Sequence, residues 1–591
     1  EHLGDAAFAV FLTDGSSAPD FPLIMPTEHQ LAQRLQALAT TDPLDNPLIP
    51  RLAFGSNGWA VGPEKSATGN ALFAFDSHDA LGLPNLFYEV HLFFEDAAQI
   101  RGWSAPGLPG VINGYNEHLA WGFTNIGDTQ DLFLEQQHPD NPELLLSDGQ
   151  WYTPRRRSVT IAVKGAEPIQ VDVVTTRNGR LISTSPPVAL RWTALERDDI
   201  ALDSLLKLNR AHDRVSLNAA LDAFPAPTLN ATWADNRGNI GFRTAGWLPI
   251  RGAGDGLFPQ PGHRSDRRWQ GLVPAKDMPR LFNPESGYVA AANARVQAPG
   301  STVLVSADNA APYRIQRIQQ VLESRQSLTV ADMVALQTDW FDSQASALLP
   351  LMLPALTDST PDSSAAKATA LLQAWQRRPV ASPDSAAALI FQRWYIALAK
   401  GVFADKLGNE LMQDLLSSGY PLNHALDALL RVEDDVHWWQ GNKGSIIQAA
   451  LDDAISDIAA ATGITEPMAW RLDQLQQVGL PHELGSAIPL IGSMFNVAPV
   501  RTGGSTSTVG RANYRYDRPN EVRHGATVRV VADMAPVPSV ASVIPGGQSG
   551  HLLSPHYADQ FAAWTAGELL PLKSSAGDVG EPAIRLSPAP P

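Results

Sequence analysis

The chain has 591 residues, 44% apolar, 18% charged and 8% aromatic, a globular composition spread over more length than one ordinary hydrophobic core serves. Its formal charge of −17, from 44 basic against 61 acidic residues, gives no electrostatic footprint for nucleic acid or an anionic membrane, so neither is expected as a partner. The lack of cysteine excludes disulfides, thiolate metal sites and cysteine nucleophiles, and no run of 18 apolar residues encodes a transmembrane helix.

The chain opens at Glu1 with no methionine or leader, which reads as part of a longer precursor. Residues 1–55 combine an apolar start (AAFAVFL), a helix-compatible stretch (TEHQLAQRLQALA) and a proline-punctuated linker ending at Gly55. From Ser56 the texture becomes strand-like: "NGWAVG" and "ALFAF" flank a "KSATGN" turn as a hairpin would. Val159, Ile161 and Val163 alternate with polar residues, and Ile169, Val171 and Val173 repeat the pattern, predicting a second hairpin. Between about 310 and 480 the period lengthens to that of helices. Ile315, Ile318 and Leu322 share one helical face, and Thr329 with Asp332 forms an N-cap pair opening the next helix. Strand texture returns at "GATVRVVADM" (525–534), and a loosely held tail follows. This order predicts a mixed α+β core interrupted by a mostly helical insertion.

Familiar catalytic signatures are missing: no Walker A loop, no dinucleotide fingerprint, no HExxH and no GxSxG elbow. His78, Glu89 and His91 match no common zinc spacing. Six segments remain, in a fixed order: "GSNGWAVG" (55–62), "FDSHDALGLPNLFYEVHL" (75–92), "LPGVINGYNEHLAWGFTNIGDTQDLFLE" (108–135), "LNATWADNRGNIGFRTAGWLPIR" (229–251), "FNPESGYVAAAN" (282–293) and "PGGQSGHLLSPHYADQ" (545–560). Together they resemble the penicillin acylase family of N-terminal nucleophile hydrolases, from Ser56 to about residue 570.

The resemblance implies a four-layer αββα sandwich, with the core at about 56–300 and 485–570, a helical insertion at about 305–480, and residues 1–55 as the end of a small subunit plus linker. It implies self-cleavage between Gly55 and Ser56, after which Ser56 is both nucleophile and, through its own α-amine, base. An α-amine titrates at roughly 7.7–8.0, so a useful fraction is neutral near neutral pH. Glycine at 55 suits the cut, because it has no Cβ to obstruct attack on its carbonyl.

By the same resemblance His78 orients the serine, the backbone amide of Asn125 and the side chain of Asn230 are the oxyanion donors, and Arg251 steadies the active-site asparagine or the serine's surroundings. Asn57 would help position the precursor bond. Asp128 and Asp131 fall where the family often holds calcium, expected as a structural ion of the full protein, with no cofactor for the chemistry.

Asp79 stands where relatives have an apolar residue, and Asn113 where aromatic-acyl-preferring members place phenylalanine. Two polar residues near the acyl pocket would penalise a plain phenylacetyl group, unless Asp79 turns to solvent or a salt bridge. The expected activity is hydrolysis of a linear acyl amide (a β-lactam side chain, an N-acyl-homoserine lactone or a related amide) by a periplasmic or secreted enzyme paired with a small subunit from the same precursor. The alternative is a catalytically silent member acting as a binding protein.

Overall fold

The computed structural model describes residues 55–94, 98–127, 129–196, 201–296, 303–357, 360–418, 420–432, 437–482, 485 and 492–572. The helix expected within residues 1–54, the C-terminal tail and Asp128 lie outside the described residues.

The strands that build the core, in chain order, are β1 (Gly55–Val61), β2 (Leu72–Ala80), β3 (Tyr88–Phe93), β4 (Gln99–Ser104), β5 (Asn113–Asn116), β6 (Leu119–Asn125), β7 (Leu229–Asp235), β8 (Ile240–Ala245), β9 (Arg280–Phe282), β10 (Tyr288–Ala291), β11 (His524–Asp533), β12 (Ser539–Val543) and β13 (Leu570–Pro571). They form two sheets, ordered β10-β1-β2-β11-β12-β13 and β9-β8-β7-β6-β5-β4-β3. Phe73, Phe75, Ala60, Ala120, Ala234, Phe242, Val528 and Val530 fill the space between them. Strand alternation sends every second residue to the opposite face, so each sheet also has an outer apolar face to cover.

Two helix pairs cover those faces. Helices α1 (Ala201–Asn209) and α2 (Arg214–Asp222) lay Leu208, Leu217 and Leu221 on Trp121, Phe123, Ala231 and Trp233 of the second sheet. Helices α3 (Tyr313–Ser324) and α4 (Val330–Gln337) lay Ile318, Leu322, Met333 and Leu336 on Trp59, Val61, Leu72 and Ala74 of the first. The result is helix, sheet, sheet, helix, the four layers expected. Thr329 and Asp332 form the capping box that opens α4.

The second hairpin also forms, between strands Arg155–Ile161 and Ile169–Thr175, with Val163 just beyond it. Helices Ser343–Met352, Ser364–Trp375, Ala386–Ser418, Tyr420–Arg431 and Lys443–Thr462 share a separate core around Trp394, Phe403, Trp438 and Trp439.

Candidate active site

The site starts at the end of β1. This strand is buried along its whole length because β2 and β10 flank it and both sheet faces are covered. The β1–β2 register sets Gly55 opposite His78, Ser56 opposite Ser77 and Asn57 opposite Asp76. Residues of one parity face the second sheet: a Cβ on Gly58 would touch Thr232 and Thr124, so the missing side chain lets the sheets close up here. Ser56 shares that face. Asn57, Asp76 and His78 take the opposite parity and face α3 and α4.

Ser56 is 2% exposed, and its polar atoms are all engaged. Its hydroxyl oxygen accepts from the backbone N–H of Asn125 at 3.2 Å and from Asn293 Nδ2 at 3.3 Å. Its own N–H donates to Asn293 Oδ1 at 2.7 Å. Asn293 follows β10 with φ of 63°, a left-handed conformation that asparagine tolerates better than most residues. Its Nδ2 also donates to Asn125 O at 2.5 Å, tying both donors together. Arg314, in the first turn of α3, donates to Ser56 O at 2.8 Å, Asn57 Oδ1 at 2.6 Å and Asn293 Oδ1 at 2.8 Å. Two N–H groups thus converge on one buried hydroxyl, with a guanidinium fixing the frame.

The register corrects the expectation for His78. Its side chain lies on the other face of the sheet from the Ser56 hydroxyl, with Nε2 2.5 Å from Asp76 Oδ2 and 3.4 Å from Asn57 Nδ2. Burial, reinforced by Arg314, Arg511 and Arg529, holds the imidazole well below its usual range, so it is neutral. Burial pushes Asp76 up to about 7 against the pull of Arg529 and Arg314.

Other expected residues sit elsewhere. Asn230 is fully buried as the second residue of β7, where its Oδ1 accepts from Thr244 Oγ1 at 2.8 Å and its Nδ2 has no partner among the described residues; the side-chain donor bonded to Ser56 is Asn293 instead. Arg251 gives its Nε to both oxygens of Asp131, at 3.1 and 3.0 Å, rather than to the serine or its asparagine. Trp269 Nε1 donates to the same carboxylate. Asp131, expected as a calcium ligand, is therefore occupied by a guanidinium and an indole, an arrangement that does not suit a divalent cation without rearrangement. Among the described residues no group of three or more His, Asp or Glu gathers to hold a metal.

Asn113 Oδ1 accepts from Phe123 N at 2.8 Å, a bond that stitches β5 to β6 rather than lining a pocket. Asp79 turns neither to solvent nor to a salt bridge. It is 7% exposed, shares the Ser77 parity, and accepts from Thr527 Oγ1 at 2.7 Å. Burial raises it to about 6, opposed by the hydrogen bonds of Thr527 and Ser77 and by the charge of Arg511.

Asn293 and Arg314 are the residues the sequence reading passed over. Asn293 ends the quoted "GYVAAAN", and Arg314 precedes Ile318 and Leu322 by one and two helical turns. A charged residue on that buried stripe was the available signal.

Residues 7–581 match the model of the family described as Penicillin amidase. The chain is 29% identical over 569 residues to the acyl-homoserine lactone acylase QuiP of Pseudomonas syringae pv. tomato, covering 90% of this chain and 68% of that protein. It is 28% identical to the penicillin acylase 2 proenzyme of Pseudomonas sp. strain SE83, covering 94% of this chain and 72% of the relative. It therefore spans about two thirds of the length of such relatives. Among solved structures, a thermostable penicillin G acylase from Alcaligenes faecalis superposes with a TM-score of 0.70 at 17% identity, over 90% of this chain and all of that one. With a family match over nearly its whole length and the fold of an N-terminal nucleophile hydrolase, the chain belongs to the penicillin amidase family.

Proposed function

We propose that this chain is an amidohydrolase that cuts its own Gly55–Ser56 bond and then cleaves linear acyl amides through an acyl-Ser56 ester. The observation that carries the reading is the convergence of Asn125 N–H and Asn293 Nδ2 on Ser56 Oγ. While Gly55 is attached, Ser56 N is an amide whose lone pair is delocalised, and it can only donate, as it does to Asn293. Once cut, it is an amine, and the nearby Arg314 guanidinium disfavours its protonation, which favours the neutral form that acts as base.

The amine, directly or through a water, takes the hydroxyl proton as Oγ attacks the substrate carbonyl. The carbonyl oxygen becomes an oxyanion held by the Asn125 and Asn293 donors. The ammonium returns the proton to the leaving nitrogen, the C–N bond breaks, and water releases the acid by the same steps in reverse roles. In self-cleavage Oγ attacks the Gly55 carbonyl carbon, the acyl group shifts from N to O, and water hydrolyses the ester.

The substrate class follows the acylase names of the relatives, and the buried carboxyl of Asp79 favours an acyl group with a polar substituent over a plain phenylacetyl group. A small subunit from the same precursor and a periplasmic or secreted location belong to this reading. A calcium ion would have to draw Asp131 away from Arg251 with further oxygen donors from a longer chain.

N-terminal sequencing of the purified protein tests the reading. A fragment beginning at Ser56 is expected, and Ser56→Ala abolishes both the cut and the turnover of acyl-homoserine lactones and benzylpenicillin. Turnover retained in Ser56→Ala refutes it.

A further inference from the structure

Behind the nucleophile, on the helix-facing side of β1 and β2, lies a buried chain of polar contacts that leads to one of the two donors. Asp76 Oδ2 accepts from Asn57 Nδ2 at 3.0 Å, and the same Nδ2 donates to Val509 O at 3.1 Å, which fixes the rotation of the Asn57 amide. The fixed amide presents Oδ1 to Arg314 Nη1 at 2.6 Å. Arg314 in turn meets Asn293 Oδ1 at 2.8 Å, and this leaves Asn293 Nδ2 aimed at Ser56 Oγ.

We propose that Asp76 is a positioning residue that, through Asn57 and Arg314, holds the Asn293 amide in register with the Ser56 hydroxyl. The inference rests on Ser56 being the nucleophile. The groups facing Asp76 are Asn57 from β1, His78 from β2, Arg529 from β11, Arg314 from α3 and Gln337 from α4. The two guanidiniums favour its anion, and the anion is the better acceptor for Asn57. When the carboxyl is protonated it shares that proton with His78 Nε2 and becomes a weaker acceptor, the Asn57 amide is left with Val509 O as its firm anchor, and the frame around Asn293 loosens. Burial pushes Asp76 up to about 7, so this change falls within the working pH range of an amine base.

The test uses the processed full-length protein and compares kcat with KM across pH. In the wild type two groups, the Ser56 amine and Asp76, must both lose a proton, so log kcat against pH falls with a slope above one on the acid side. Asp76→Asn, which keeps size and shape, should lower plateau kcat on the order of 10–100-fold with KM within about twofold, and should reduce the acid slope to one. Arg529→Gln removes a charge that favours the anion and should move the steep part of the limb to higher pH.

If Asp76→Asn does not fold, Arg529→Gln and the wild-type slope decide. A wild-type slope of one overturns the proposal, as does a plateau and limb unchanged in either variant. A purely structural role would lower the melting temperature and leave the slope alone. Turnover that survives Ser56→Ala would instead overturn the assignment of the nucleophile, so the two failures are distinguishable.

Discussion

Replacing Asn293 with alanine separates the donor seen beside Ser56 from the one the motifs suggested. Asn293 Nδ2 reaches Ser56 Oγ and also clamps Asn125 O, so its loss removes one oxyanion donor and slackens the strand end that carries the other. One such donor is worth about 2.7–4 kcal/mol in the transition state, which is 10²–10³-fold in kcat. The upper end of that range is expected because Asn125 loosens too. Alanine at a left-handed φ costs a further ~1–2 kcal/mol of stability, felt in the melting temperature rather than in the chemistry. The assay is steady-state hydrolysis of an acyl-homoserine lactone, normalised to the fraction with a free Ser56 by N-terminal sequencing. Asn230→Ala is the control, because its Oδ1 accepts from Thr244 Oγ1, its buried Nδ2 has no partner among the described residues and neither atom bonds to Ser56, so kcat should stay within a few-fold. A larger kcat loss in Asn230→Ala than in Asn293→Ala would refute the reasoning.

A Cβ on residue 55 would overlap the Arg511 guanidinium, which is only 7% exposed and has little room to swing away. Gly55→Val should therefore slow self-cleavage by roughly 10–100-fold, the rate equivalent of ~1–3 kcal/mol of overpacking, read from a gel time course. Asp79 and Asp76 are raised by burial to about 6 and about 7, so the stability they contribute is complete below pH ~4 and is lost as pH rises through 6 and 7. Asp79→Asn should flatten the decline in unfolding free energy between pH 4 and 7 by about 2–3 kcal/mol, and an unchanged pH profile would contradict its burial. Asp131→Asn leaves the mostly buried Arg251 without its counter-ion and should cost about 3–5 kcal/mol of stability, with kcat per folded molecule little changed. A selective loss of kcat would return Arg251 to the active site.

Local patterning made much of the fold legible. The β1–β2 pair, the capping box of α4 and the strand of "GATVRVVADM" each follow from residue order within a few turns or strands. The site was legible only in part, because its geometry depends on parity across strands. The motif order identifies Ser56 and His78 but not the register that sets Gly55 opposite His78 and turns that imidazole to the helix side. Two asparagines in the quoted motifs competed for one role. Asn230 lies within a fully laddered strand, whereas Asn293 sits just past a strand end in the backbone conformation that lets its amide turn back on Ser56. Arg314 was concealed by an otherwise ordinary amphipathic helix.

The alternation of Ser56 and Asn57 across β1 divides labour between layers. Under the proposed reaction the substrate meets the face between the two sheets, while the contacts that align the donors lie under α3 and α4. A laboratory library that diversifies the inter-sheet positions near Ser77 and Asp79 can therefore search acyl specificity without disturbing Asn57, Asp76 or Arg314. The same partition gives a lineage of such enzymes a route to new amides in which the pocket drifts and the machinery behind it stays put.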